Sequence, residues 1–295
     1  ATYDAATGTL TPTTPLSEGE HKLSYTLTDA AGNESDPSPA LTLTVDTQAP
    51  DAPVVNPANT HDPITGTAEA GSTVSVSYPD GQGGTTTVTT TADADGHWSV
   101  PNPGLKDGDE VTATATDAAG NVSQPGNTVI DGTAPTAPAA PTQYLDNTDP
   151  VQGTFGTGTS TNDSTPGLII PAPAAGETPK LYVDGAAVAA TYDAATGTLT
   201  PTTPLSEGEH KLSYTLTDAA GNESDPSPAL TLTVDTIAPT APAAPTQYLD
   251  NTDPVQGTFG TGTSTNDSTP GLIIPTPAAG ETPKLYVDGA AVDAT

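Results

Sequence analysis

One short stretch, Thr28-Asp29-Ala30-Ala31-Gly32-Asn33, limits what this chain can become, because it occurs three times. It returns at residues 116–121 and 217–222. Each copy follows a run of alternating apolar and polar residues. Each is followed by an Asp ahead of an Ala-Pro step: Asp46 before Ala49-Pro50, Asp131 before Ala134-Pro135 and Asp235 before Ala238-Pro239. The repetition extends further. Residues 1–47 and 190–236 are identical, and residues 134–188 and 238–292 differ only at Ala172 versus Thr276. Self-similarity of this kind is the mark of a repeat array. Four segments follow: the C-terminal half of a type A module (1–47), a complete type B module (48–132), a complete type A module (133–236) and the N-terminal half of another type A module (237–295).

The alternation has period two, which places successive side chains on opposite faces of a strand. Residues 21–29 read as one strand, with Leu23, Tyr25 and Leu27 to one side and Lys22, Ser24, Thr26 and Thr28 to the other. Residues 40–45 read as its partner, with Leu41, Leu43 and Val45 inward. In module B, Val74, Val76 and Tyr78 alternate, as do Val111, Ala113 and Ala115, and Trp98 and Val100 follow on a further strand. Clean alternation predicts antiparallel sheets with one wet face. Turn signals return about every ten residues and no helical period occurs, so the expected class is all-β, built of sandwich modules. Trp98, the only Trp, is expected in a core.

Charge narrows the partners. Five Lys, no Arg and 36 acidic residues give a net charge of -31. That disfavours nucleic acid and anionic membrane surfaces, and it favours cations. No run is long enough to span a membrane as a helix. There is no Cys, so neither a disulfide framework nor thiol chemistry is available. With no Met and no leader, the sequence reads as an internal piece of a longer protein. The joints between modules contain Pro and no Gly/Ser tract, which predicts restricted joints and an elongated rod.

The Asp-Ala-Ala-Gly-Asn turn, the Val-Asp-Thr-x-Ala-Pro joint and the segment Ala92-Asp93-Ala94-Asp95-Gly96-His97-Trp98-Ser99 resemble the bacterial immunoglobulin-like repeats of giant surface adhesins and biofilm-associated proteins. The resemblance implies tandem immunoglobulin-like β-sandwich modules in an extracellular stalk at the cell surface, exported by type I secretion and stiffened by calcium at the module junctions. It implies roles in cell adhesion and biofilm formation. Module B departs from the pattern at its joint, where Gly132 is inserted between Asp131 and Thr133.

In an immunoglobulin-like module the N-terminus and the turn between the last two strands share one pole. The turn of one module should therefore face the end of the module before it. Asp46 is expected to meet Asp117 and Asn121, and Asp131 to meet Asp218 and Asn222. Asp29 and Asn33 belong to the first copy of the turn, and Asp235 to the last joint. Glu69 and Glu177 stand in turns at the same pole. Calcium takes six to eight hard oxygens, which carboxylates and amides supply. These eleven residues are the candidate Ca2+ ligands. The competing reading is that Asp and Asn only shape their turn. Asp146, Asp149 and Asp163, with their copies Asp250, Asp253 and Asp267, stand in loops where either role is open. Asp93 and Asp95 with Gly96 read as a hairpin turn, since no Glu stands at the twelfth position of a calcium loop.

Nothing catalytic stands out. The four His residues have no nucleophile motif around them, and there is no HExxH and no phosphate-binding Gly loop. The expectation is a structural stalk segment and not an enzyme, with neighbouring repeats of the same chain as its partners. Two alternatives stay open. The outward Thr rows (Thr112, Thr114 and Thr116; residues 85–91) could bind carbohydrate or ice. The half-modules at 1–47 and 237–295 could complete each other head to tail between copies of the chain.

Overall fold

The computed structural model describes residues 1–293 and falls into two compact units, residues 1–234 and the residues from Asp235 onward. Every regular element among the described residues is a β-strand.

Module B is a sandwich of two antiparallel sheets. One sheet runs, in spatial order, Gly126–Val129, Glu110–Thr116, Thr73–Pro79 and Thr85–Thr91. The other runs Val54–Val55, Ile64–Thr67 and His97–Val100. The alternation is realised residue by residue: Val74, Val76, Val111 and Ala115 are fully buried, Ala113 nearly so, and Thr112 and Thr114 between the last three are half-exposed. Trp98 lies in the core at 3% exposure, beside Ile64, Val100 and Ile130. Two close approaches need glycine. A Cβ on Gly66 would stand 2.1 Å from the Val54 carbonyl and 2.4 Å from the Trp98 ring, and a Cβ on Gly126 would stand 1.8 Å from the Pro53 carbonyl.

Module A has two five-stranded sheets. One runs Gly153–Gly156, Gln143–Asp146, Gly167–Ile169, Thr198–Pro201 and Ala190–Asp193. The other runs Thr159–Thr161, Leu230–Val234, Gly208–Thr217, Thr178–Val183 and Ala186–Val188, with its first pair parallel. Tyr144, Leu168, Leu181, Leu212, Leu230 and Leu232 fill the space between. Both sheets therefore mix strands from the two halves of the module.

Residues 1–47, identical to residues 190–236, show what residues 134–188 supply to their twin in module A. In residues 1–47 the strand expected over 21–29 stops at Leu23: Gly19–Leu23 pairs with Leu41–Val45, and Thr2–Asp4 pairs with Thr9–Thr11. In the complete copy the same sequence forms the ten-residue strand Gly208–Thr217, because Thr178–Val183 pairs along it. Local hydrogen bonds survive in both copies: the Ser35 and Ser38 hydroxyls accept the Leu27 and Tyr25 N–H groups, as Ser224 and Ser227 accept those of Leu216 and Tyr214. Burial does not survive. Leu41 is 66% exposed and its twin Leu230 is 1% exposed. In the second unit, Gln247–Asp250 pairs with Gly257–Gly260 and with Gly271–Ile273, and Leu285–Val287 pairs with Ala290–Val292.

Candidate functional site: the module joints

The Asp-Ala-Ala-Gly-Asn turn is built by its own side chains. In the module B copy, one carboxylate oxygen of Asp117 accepts the N–H groups of Ala119 and Asn121, at 2.9 and 2.8 Å. The other accepts the Asn121 side-chain amide at 2.8 Å. Gly120 takes a φ of 96°, which side chains resist. The Asn121 amide holds the Asp117 carboxyl below the usual carboxylate range, with help from backbone N–H groups. Asp29 with Asn33 repeats this turn in residues 1–47, and Asp218 with Asn222 repeats it in module A.

The same amide nitrogen then reaches across the joint. Asn121 donates to the backbone carbonyl of Asp46 at 3.1 Å, and Asn222 donates to that of Asp131 at 2.8 Å. Asp46 thus meets the turn of the following module, and so does Asp131. The contact runs through their main chains. Their carboxylates turn back on the joint, accepting the N–H groups of Gln48 and Thr133. The Asp29 and Asn33 side chains close their own turn, both residues being exposed. Asp235 accepts the Ile237 N–H within its own joint.

The two glutamates differ. Glu177 stands in the turn beside Ala219, since a Cβ on Gly176 would lie 3.9 Å from the Ala219 Cβ. Its carboxylate caps its own turn by accepting the Ala174 N–H. Glu69 is exposed, and its carbonyl accepts the Ser72 N–H. Among the described residues, no three acidic or His side chains converge closely enough to hold a metal by themselves.

The joint between modules B and A carries more contacts than sequence reasoning singled out. Asn59, 4% exposed, donates to the Ala220 carbonyl at 3.0 Å and to the Asp62 carboxylate at 2.7 Å. Its oxygen accepts the N–H groups of His61 and Asp62. Gly132 donates to the Asp107 carboxylate, and a Cβ there would stand 2.8 Å from the Thr60 methyl. The inserted glycine is therefore fitted between two loops. A signal was present in the sequence: Asn59-Thr60-His61-Asp62-Pro63 parallels Asn147-Thr148-Asp149-Pro150 one module later.

The loop aspartates of module A are held by hydrogen bonds within and between their loops. Asp146 and Asp163 are each 2% exposed. Asp146 accepts the Thr161 hydroxyl at 2.6 Å and the Thr148 N–H, while Asp163 accepts the Asn147 and Thr165 N–H groups. Asp250 and Asp267 repeat these bonds, and Asp149 and Asp253 each offer a main-chain carbonyl to an Asn. Asp93 closes a hairpin turn by accepting the Asp95 and His97 N–H groups.

A second polar cluster ties the halves of module A together. The Glu223 carboxylate accepts the hydroxyls of Thr215 and Tyr182, both at 2.6 Å, and the Lys180 ammonium at 3.0 Å. These bonds lower its pKa from 4.5 to about 2. A depressed carboxyl stabilises the fold above its unfolded pKa and loses that contribution as pH falls toward the folded value. Glu223→Gln is therefore expected to lower the urea midpoint of module A at pH 7, with the gap to wild type closing between about pH 4.5 and pH 2. A gap that is constant with pH would remove the charge from the explanation. His210 pairs with Asp184 at 2.7 Å across the same halves. Burial opposes its charge, yet the Asp184 carboxylate and the Ser206 carbonyl raise its pKa overall.

A bacterial Ig domain model matches residues 49–131, and a bacterial Ig-like domain model matches residues 1–47 and 139–236. This chain belongs to the bacterial immunoglobulin-like domains. No curated protein matches it. Among solved structures it is similar to the BSP domain of a biofilm associated protein, at 19% identity over 63% of this chain, with a TM-score of 0.26. It spans 30% of that chain. A tetra-tandem repeat from the extending region of a large adhesion protein is 20% identical over 85% of this chain and 72% of its own, at a TM-score of 0.27. The FN1-FN3 domains of chicken CNTN1 are 15% identical over 72% of this chain and 76% of their own, at 0.34. At such identities and scores these likenesses do not extend to function.

Proposed function

We propose that this bacterial immunoglobulin-like chain is a spacer segment: part of the stalk of an extracellular, cell-surface adhesin, without catalysis of its own, whose joints calcium stiffens. The observation that carries the reading is the joint contact, made twice by the same residue pair. Asn121 bonds the Asp46 carbonyl and Asn222 bonds the Asp131 carbonyl. A device repeated from module to module serves length and alignment, whereas a reaction needs one centre. The neighbouring repeats are then its first partners. Biofilm formation would follow from the adhesive role of the whole protein.

The donor chemistry at the joints suits calcium in kind. Asp46, Asp117 and Asn121 at the first joint, and Asp131, Asp218 and Asn222 at the second, are the residues that would hold it. Two carboxylates and an amide oxygen make an incomplete shell, so main-chain carbonyls and water would fill the remainder of six to eight positions. A ligand at 100 times its Kd stabilises the state it binds by about 2.7 kcal/mol.

The test is a thermal melt of the intact chain in calcium and in EDTA, repeated with Asp131→Ala. The expected result is a calcium-dependent rise in midpoint that shrinks in the variant. Superimposable melts in calcium and EDTA would sink the metal. The joint would then rest on its hydrogen bonds alone.

A further inference from the structure

We propose that the strand Thr85–Thr91 of module B pairs antiparallel with the same strand of a second copy, joining two chains side by side about a two-fold axis at Val88. This strand is the outer member of its four-stranded sheet, next to Thr73–Pro79. It has seven residues, of which Thr85, Thr86, Thr87, Thr89 and Thr91 are exposed. Every other outer strand of the two complete modules has four residues or fewer. An open edge is a template for another strand, and proteins blunt it with Lys, Pro, a bulge or a covering segment. Here the strand contains neither a charge nor a Pro, and its register with Thr73–Pro79 is unbroken.

The sequence of the strand selects its own copy as the partner. Thr-Thr-Thr-Val-Thr-Thr-Thr reads the same in both directions. Antiparallel pairing centred on Val88 sets Thr85 opposite Thr91, Thr86 opposite Thr90 and Thr87 opposite Thr89 of the second copy. Hydroxyl pairs across a seam are favourable, and the strand already makes one, between Ser77 and Thr87 at 2.7 Å. The main chain supports the same register. The Asp80 N–H donates to the Gly84 carbonyl at one end of the hairpin, and the Ala92 N–H to the Ser72 carbonyl at the other. Bonded and non-bonded pairs alternate along an antiparallel ladder. The even-numbered residues of the strand therefore bond to Thr73–Pro79, and Thr85, Thr87, Thr89 and Thr91 turn their N–H and carbonyl groups to the open edge. Those four are the residues that the centred register sets opposite one another. Side chains agree as well: Val88, which packs against the module B core, falls on the same side of the joined sheet in both copies.

Charge limits the contact to this strand. Each copy carries a net charge of -31, so a seam between copies needs a stretch without carboxylates. Acidic turns flank it on both sides. The Asp80 carboxylate accepts the N–H groups of Gln82 and Gly84, and that of Asp93 accepts those of Asp95 and His97. The two-fold axis brings the Asp80 end of one copy to the Asp93 end of the other, and salt would screen that repulsion. Both open edges are used up in the pairing, so the assembly closes at two chains.

Sedimentation velocity of the 295-residue chain, from micromolar to millimolar concentration, tests this. The expected mass rises from 29.2 kDa to twice that value and no further. The dimer is expected to be tighter in about 0.5 M than in about 0.05 M NaCl. Thr89→Pro takes an N–H from the open edge and none from the ladder to Thr73–Pro79, and the two-fold axis removes it twice. It is expected to weaken association about tenfold or more. A charge exchange tests the register. Thr87→Lys with Thr89→Lys sets like charges opposite one another, and so does Thr87→Asp with Thr89→Asp. Each double variant is expected to pair about tenfold more weakly than wild type, and an equimolar mixture of the two more tightly than either alone. The altered positions are exposed, and unchanged Trp98 emission checks that module B stays folded. Four results would each overturn the proposal: a wild-type monomer at all concentrations, growth beyond the dimer, a proline variant that associates like wild type, or a mixture no tighter than its components. None of these readouts depends on calcium or on the spacer reading.

Discussion

Gly66→Ala is expected to lower the stability of module B by about 2–3 kcal/mol, the upper part of the range for overpacking. Gly66 lies opposite Val55 on one side and Trp98 on the other. The new methyl would sit 2.1 Å from the Val54 carbonyl oxygen and 2.4 Å from a carbon of the indole. The carbonyl is main chain and cannot rotate away. Trp98 is buried at 3% and packed among core residues, so it cannot yield without opening space elsewhere. Either the Val54–Val55 strand leaves the sheet or the indole moves. For a domain of this size that energy corresponds to roughly 10–20 °C of melting temperature. Trp98 is the only Trp in the chain, so its emission reports module B alone. An unchanged midpoint in thermal melts followed at that emission would show that the sheet gives way at no cost.

The second large effect comes with an internal control. Leu230→Ala should cost module A about 2–5 kcal/mol, the usual penalty for truncating a buried Leu. Leu41→Ala changes the same residue in an identical 47-residue sequence. In dilute solution it should cost less than about 0.5 kcal/mol, as exposed substitutions do. Nothing local separates the two sites, so propensity, neighbours and unfolded-state effects cancel. The difference isolates the contribution of residues 134–188 packing over Leu230. Urea unfolding followed by far-ultraviolet circular dichroism measures both. Equal penalties would mean that Leu41 is already covered, or that the cost lies in the strand itself.

The twin sequences also show what a reader of the chain could and could not see. Alternation in 73–79 and 110–116 translated directly into buried and half-exposed faces, because each strand has partners within its own module. The expectation of one strand over 21–29 fails at Leu23, and for a physical reason. Residues 212–217 are held extended by pairing with 178–183, and that pairing is a property of two segments together. The meeting of Asp46 with Asn121 was legible from topology, yet the atom that accepts the bond, a main-chain carbonyl, was not. Burial of Asp146 and Asp163 was hidden for a similar reason. A carboxylate enters a protein interior when N–H and hydroxyl groups surround it, and Thr161 is fifteen residues from Asp146. Glu223 gathers Thr215, Tyr182 and Lys180 from two strands, so no local spacing announces the cluster.

The main-chain acceptor at the joints has a consequence for how such proteins change over generations. An Asn that recognises a carbonyl oxygen asks nothing of the side chain on the residue that bears it. The first joint passes from type A to type B and the second from type B to type A, and both close with the same bond. A module inserted, deleted or moved by recombination between the near-identical stretches at 134–188 and 238–292 would meet its new neighbour with that bond ready to form. The A-to-B joint and the B-to-A joint are thus closed by the same Asn-to-carbonyl bond, whatever module stands on either side.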